Sequence, residues 1–369
     1  MDIGILGLPR SGKTTIFNAL TRGHAQLTGH AGGAAEPNVG VVKVPDPRLE
    51  TLAAMFHPKK VTPAEITYLD MVGTPRGFGK GEGISGPFLN QLARADALLH
   101  VVRAFENPAV PHVAESVDPD RDIATVNLEL AFSDLGILER RLERLQLGLK
   151  AAKPQEREAI HREQEFLGGI RTQLEAEVPL REQTFTDEEA RSLEGYQFLT
   201  AKPLILLLNI GEDQIDQQQA IEARYRERYA RPGIALVALC GRLEMDLTQM
   251  SEEEAGEFRA EMGLPESGLA RMIQVCYDLL GLMSFLTAGP EEVRAWTIRK
   301  GTSAPKAAGK IHSDFERGFI RAEVVRFDDL MATGSLAEAR RQGLLRSEGR
   351  TYIMQDGDVV EFLFNVSRR

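Results

Sequence analysis

Cysteine is almost missing from this chain: two in 369 residues, Cys240 and Cys276. Neither has a partner at metal-ligand spacing, so a disulfide framework and a cysteine-built zinc site are excluded, and a reducing, cytoplasmic setting is expected. Long apolar runs are missing too. None approaches the ~20 residues of a membrane span, and the opening MDIGILGLPR enters a strand-like run without a basic leader, so no membrane partner is expected. Positive charge is in short supply. A net charge of -10 argues against a surface that coats nucleic acid, DNA included. The deficit is uneven: Gly281 to Arg369 carries 14 Lys/Arg against 12 Asp/Glu, which leaves -12 on the first 280 residues. That mildly basic end is left to meet RNA locally.

What is present is enough apolar residue, 43%, to bury the cores of two or three domains. The runs DIGILG, ITYLD, ALLHVVRAF and PLILLLN read as strands, and TTIFNALTRG as an amphipathic helix. Continuous apolar runs alternating with helices predict an α/β, doubly wound sheet with strands buried on both faces. Between the last two strands, Leu135, Leu138, Leu142, Leu145 and Leu149 make a seam spaced 3, 4, 3, 4, and Phe166, Ile170, Leu174 and Val178 follow four apart. With Pro154 between them, these predict an antiparallel helical hairpin inserted into the sheet domain, serving as a packing or a partner-binding arm. After residue 282, EVRAWTI, GFIRAEVV and VVEFLFNV read as strands of a separate small α+β module. The expected domains are 1–126 and 196–281 for the sheet, 127–195 for the insertion and 282–369 for the C-terminal module.

Gly7 to Thr14, GLPRSGKT, fits G-x-x-x-x-G-K-[ST] after a strand and before a helix. Glycine there lets backbone N–H groups curl around phosphates at a helix N-terminus. Pro9, Arg10, Ser11, Gly12, Lys13, Thr14 and Thr15 are therefore candidate nucleotide contacts. Lys13 is placed for the β- and γ-phosphates, and Thr14 for Mg²⁺. YLDMVG adds Asp70 as a second Mg²⁺ residue and Gly73 as a γ-phosphate contact, followed by the glycine-dense GTPRGFGKGEG, which suits a switch.

A guanine-reading Asn-Lys-x-Asp is missing. LLLNIGED, residues 206 to 213, offers Asn209, Ile210, Gly211 and Glu212 instead. Adenine lacks the donor pair that such an aspartate accepts from, and the extra methylene of Glu212 spoils that pose, whereas an asparagine amide suits adenine N6 and N7. ATP is favoured. A Glu212 that merely sits in solvent would leave a site tolerant of GTP.

The stretches EPNVGVVKVPDPRL, DMVGTPRGFGKGEG, LLLNIGE and FLTAGPEEVRAWTIRKGTSAPKAAGKIHSDFERGFIRAEVV resemble the YchF group of Obg-like ATPases over essentially the whole chain. The resemblance implies a P-loop G domain of the translation-factor class, interrupted by a coiled-coil arm and followed by a TGS domain of β-grasp fold. It also implies hydrolysis of ATP in preference to GTP through N-x-x-E, here Asn209 and Glu212, and association with ribosomes; slow turnover and a monomer are expected of this chain. Cys240 and Gly241 fall in its last base-contacting loop, and His112 matches its proposed catalytic histidine. Three departures stand out. The loop has Arg10 and Ser11 where the family has Asn and Val; Ala34 replaces a threonine expected to meet Mg²⁺ and γ-phosphate; and Thr74 replaces a leucine. Arginine cannot ligate a cation, but it can bring its own charge to the phosphates, as an arginine finger supplied in cis does. A nucleotide-gated ribosome-binding module with little hydrolysis, or a GTPase, are the competing readings. On the C-terminal module, Arg294, Arg299, Lys300, Lys306, Lys310, Arg317 and Arg321 near Trp296 and His312 suit RNA phosphates with an occasional stacked base.

Overall fold

A computed structural model describes residues 1–22, 37–71, 79, 83–84, 86–264 and 266–365. Ala34, Gly73 and Thr74 lie outside the described residues. The chain divides into two compact units, Met1–Val41 with Thr67–Val275, and Val42–Ile66 with Cys276–Arg369. Among the described residues twelve strands form two six-stranded sheets: β1 Asp2–Leu6, β2 Asn38–Lys43, β3 Lys60–Thr62, β4 Glu65–Asp70, β5 Ala97–Arg103, β6 Leu204–Asn209, β7 Ile234–Leu239, β8 Leu282–Ala288, β9 Glu292–Arg299, β10 Phe319–Arg326, β11 Arg346–Glu348 and β12 Asp358–Phe364.

The first sheet runs β2-β4-β1-β5-β6-β7, and β4, β1, β5, β6 and β7 pair in parallel. Every residue of β5 and β6 is buried, as continuous apolar runs covered on both faces require. Parallel strands release their C-terminal ends on one side, so the loops after β1, β4, β5, β6 and β7 gather there. The edge strand β2 and the IALVAL strand β7 were not foreseen from the sequence.

The inserted arm consists of helices Pro119–Ala151 and Pro154–Glu175. It starts eight residues before the expected residue 127, because Asp118 caps Arg121 N–H and Pro119 occupies the first turn. Pro154 likewise opens the second helix, where its missing N–H costs nothing. Leu138, Leu145, Leu167, Ile170 and Leu174 form the seam, and Arg141 grips Glu163 with two bonds of 2.8 and 2.9 Å. At the root, the buried Asp134 accepts Leu199 N–H, Thr200 N–H and the Thr200 hydroxyl at 2.8, 2.8 and 2.6 Å. Among the described residues, no helix is long and apolar enough to cross a membrane.

The second unit holds the mixed sheet β11-β10-β12-β8-β9-β3. Strands β8 and β12 pair in parallel, flanked by antiparallel β9 and β10, and helix Ala304–Ile311 packs its alanines on Phe285, Phe319 and Phe362, the β-grasp arrangement. Two of its elements come from early in the chain. Strand β3 adds in parallel to β9, Lys60 opposite Glu292, and helix Pro47–Phe56 packs against β8 and β9. Arg48 fixes that helix by pairing with Asp46 and Asp356, each at 2.8 Å.

Candidate functional site

The loop after β1 turns into helix Lys13–Thr21 through Gly12, whose φ of +94° is left-handed. A Cβ at Gly12 would lie 2.2 Å from Asn209 Nδ2, so only glycine lets these two loops close on each other. Lys13 Nζ donates to the Gly7 and Leu8 carbonyls, both at 2.9 Å, and so curls back over the loop that would hold phosphate. Burial pulls its pKa down to about 8, against the raising influence of Asp70. Thr14 Oγ1 lies 3.4 Å from Asp70 Oδ2, which also receives Asn38 Nδ2 at 3.4 Å. Burial raises the Asp70 carboxyl, with Asn38, Lys13 and Thr14 opposing. Among the described residues no group of three metal-ligating His, Cys, Asp or Glu side chains exists. A hydroxyl and a carboxylate at one helix terminus fit Mg²⁺, a hard ion that commonly takes one or two protein oxygens and completes its shell from phosphates and water. Thr15 follows in the first turn, and Pro9 is half-buried.

On the base side, Asn209 ends β6 and is buried; its Nδ2 donates to the Ser11 carbonyl at 2.9 Å and its Oδ1 accepts Gly241 N–H at 3.0 Å. It thus ties the phosphate loop to the loop after β7. This bracing replaces the adenine N6/N7 contact expected of its amide. Ile210 is buried beside it, while Glu212 opens a short 3₁₀ turn, Glu212–Gln217, with its side chain exposed. Cys240 is buried; burial raises its thiol pKa and the Glu212 carboxylate adds to the effect, which puts the two loops side by side. The Ser11 hydroxyl is buried and has no hydrogen-bond partner among the described residues.

Arg10 sits at φ +64°, and its exposed guanidinium donates to the Pro111 carbonyl at 2.9 Å. In this arrangement it points to the loop after β5. Arg103, 1% exposed, lies beneath: it donates to Phe105 O at 3.1 Å and stacks 4.4 Å over the Phe105 ring. His112 was expected either as a catalytic base or as a surface residue, and the structure supports neither. It is buried, with Nε2 2.7 Å from Asp122 Oδ2 and Nδ1 accepting Ala114 N–H at 3.0 Å. With Nδ1 as acceptor, the proton sits on Nε2 and is donated to Asp122, so no ring lone pair is left to take a proton from water.

The basic set on the second unit is also rearranged. Lys306 pairs with Glu316 at 2.6 Å, Arg317 with Asp314, and Arg321 approaches Glu323 at 4.0 Å. Trp296 cannot stack on a base as it stands: Arg294 covers its ring at 3.9 Å, Phe285 stacks against it, and its indole N–H donates to Thr287. Arg299, Lys300 and Lys310 stay exposed, and so does His312. Asn38, the buried Glu129 and His100 belong to no motif that marks them in the sequence. The last is fully buried on β5, with its pKa pushed down to about 3 by burial and the nearby Lys13 charge, and therefore neutral. An uncharged imidazole inside an apolar run gives no sequence signal beyond its letter.

A parallel sheet with a glycine-hinged loop at a helix N-terminus, a lysine folded into it and a Thr–Asp oxygen pair beside it defines the class: a P-loop nucleotide-binding protein of the G-domain type. A family model described as "50S ribosome-binding GTPase" matches residues 2–132, and the C-terminal YchF-GTPase model, described as "Protein of unknown function (DUF933)", matches 282–365. The chain is 42% identical over 368 residues to the ribosome-binding ATPase YchF of Bacillus subtilis, covering 99% of this chain and 100% of that one. It is 36% identical to Obg-like ATPase 1 of Pongo abelii, covering 100% and 93%. The solved structure of the Schizosaccharomyces pombe YchF GTPase matches with a TM-score of 0.84 at 32% identity, covering 98% of this chain and 97% of that one. The chain belongs to the YchF group of Obg-like ATPases.

Proposed function

We propose that this protein is a cytoplasmic, Mg²⁺-dependent ATPase of low turnover whose nucleotide state governs its docking to the ribosome. The observation that carries the reading is the convergence of the Lys13 loop, the Thr14–Asp70 oxygens and the Asn209–Gly241 brace on one end of the sheet. Lys13 and the loop N–H groups hold the β- and γ-phosphates, and Thr14 and Asp70 hold Mg²⁺, which neutralises charge on the phosphates when bound. Water attacks the γ-phosphorus as the bond to the β–γ bridging oxygen breaks, and the water's proton passes to a γ-phosphate oxygen, leaving ADP and inorganic phosphate. Arg10 moves from Pro111 to the phosphates and offsets the charge gathering on the leaving oxygen. With Asn209 occupied as a brace, preference for adenine falls to Glu212, whose exposed carboxylate accepts the N6 amine, and to backbone of the loop at Cys240 and Gly241. The relatives' names, ribosome-binding ATPase, support the partner. The arm and the TGS-type C-terminal module, with its Arg299–Lys300 turn and Lys310, are the surfaces that reach ribosomal RNA.

A second reading, a nucleotide-gated binding module that barely hydrolyses, is favoured by one observation: both nitrogens of His112 are committed, so it cannot act as base from this position. Calorimetric titration with ATP and GTP, followed by single-turnover phosphate release, separates the readings. Tighter ATP binding with slow release is expected. GTP bound tenfold more tightly than ATP would refute the adenine preference, and tight ATP without release would establish the gated module.

A further inference from the structure

The first arm helix carries a carboxylate where its inner face should be apolar. Glu129 is fully buried, one turn from the buried Val126 and beside Leu130. A carboxylate in such a place is costly to bury unless donors surround it. Here they come from the glycine-rich stretch that follows Asp70 in sequence. Gly79 N–H donates to one oxygen at 2.7 Å and Gly83 N–H to the other at 2.7 Å. Next to them, Ile84 N–H donates to Ser133 Oγ at 2.6 Å, and that hydroxyl donates to the Glu129 carbonyl at 2.6 Å. The fit is tight. Gly83 has φ +75°, and a Cβ on it would come within 3.0 Å of Ser133 N and 3.1 Å of Phe132 C, which are helix backbone and cannot yield. A segment that merely crossed the helix would need neither charge-assisted bonds nor this approach.

We infer that Glu129 is a positioning residue that fastens the loop downstream of Asp70 to the helical arm, so that the loop sensing the γ-phosphate and the arm move as one piece. The inference rests on the proposed nucleotide function. Asp70, the proposed Mg²⁺ residue, lies only nine residues before Gly79 in the sequence, so a short length of chain ties the clamp to the phosphate end of β4. The helix carries the clamp's movement outward: at 1.5 Å per residue, Glu129 and the helix end at Ala151 are about 33 Å apart. Asp134, just over one turn further along, pins the same helix to Leu199 and Thr200 and supplies a fulcrum.

The test is hydrogen–deuterium exchange of the full chain with ADP and with a non-hydrolysable ATP analogue, together with the affinities of both. In the unmodified protein, amides of residues 136–170 are expected to exchange differently in the two states. In Glu129→Gln, which keeps shape but loses the charge and one acceptor, that difference should vanish, and the preference for the analogue over ADP should fall about fivefold while ADP affinity holds. Ser133→Ala, which removes the acceptor of Ile84 N–H and the donor to the Glu129 carbonyl but leaves the carboxylate in place, should weaken both effects in the same direction and stands in should Glu129→Gln fail to fold. Variants that keep the full difference in arm exchange overturn the inference. An unmodified protein that binds both nucleotides with identical arm exchange overturns it alone. One that binds neither nucleotide overturns the proposed function and this inference together.

Discussion

Lys13 reaches back to its own loop rather than to solvent, and the arrangement has a thermodynamic signature. Its pKa of about 8, set by burial, must rise when phosphates place negative charge beside it. Above pH 8 a share of the free protein carries a neutral lysine, so binding takes up a proton there, and affinity falls as pH rises through 8 towards the higher bound-state pKa. Calorimetry of ATP binding at pH 8.5 in two buffers of different ionisation heat should show proton uptake, absent at pH 6.5 and lost in Lys13→Met. At Arg10 the conflict is between backbone and side chain. A left-handed φ of +64° is easier for glycine or asparagine than for arginine, and costs an arginine about 1 kcal/mol. What the arginine adds at that position is a guanidinium that bonds the Pro111 carbonyl at 2.9 Å.

At the scale of elements, one of the carboxylates that hold the root of the arm, Asp134, has a pH dependence of its own. Burial lifts Asp134 to about 6, against the bonds from Thr200 and Leu199 that favour its charged form. A raised folded-state pKa means the folded protein binds the proton more tightly than the unfolded chain, whose aspartate titrates near 4. Asp134 therefore contributes most to stability below pH 4, and that contribution is lost as pH rises to 6. Urea midpoints at pH 5 and pH 7 should reveal this slope, and Asp134→Asn should flatten it while lowering stability at both values, because its amide offers one acceptor to three donors. The arm helices were legible from the sequence because a seam spaced 3 and 4 is a local pattern. Their start at residue 119 rather than 127 was not, since it is set by the Asp118 cap. The partners of Asp134, Glu129 and Asn209 lie far along the chain, and no periodicity encodes them.

For the whole molecule, the same distinction decides what could be read in advance. The phosphate loop, Thr14 and Asp70 are spelled in contiguous motifs, and the structure sets Thr14 Oγ1 3.4 Å from Asp70 Oδ2. His112 and Trp296 carry promising side chains, but neighbours supplied by the fold, Asp122 for one and Arg294 with Phe285 for the other, occupy them. The surface proposed for ribosomal RNA is correspondingly narrower than the count of basic residues suggested. Replacing Arg299 and Lys300 together by glutamate should weaken cosedimentation with ribosomes and lower its salt dependence by about two counterions, as two lost phosphate contacts would. Changing Lys306, already paired with Glu316, should do much less.

Strand β3 and helix Pro47–Phe56 belong to the C-terminal sheet although they are encoded more than two hundred residues before the rest of it. The C-terminal module is therefore not a cassette. A gene cut once, before residue 276, separates β9 from its edge strand and leaves the Pro47–Phe56 helix with an apolar face and nothing to cover it. Recombination that swapped this module between proteins would have to exchange two segments of the reading frame at once, one of them lying between the phosphate loop and Asp70. Such an arrangement is inherited whole or not at all.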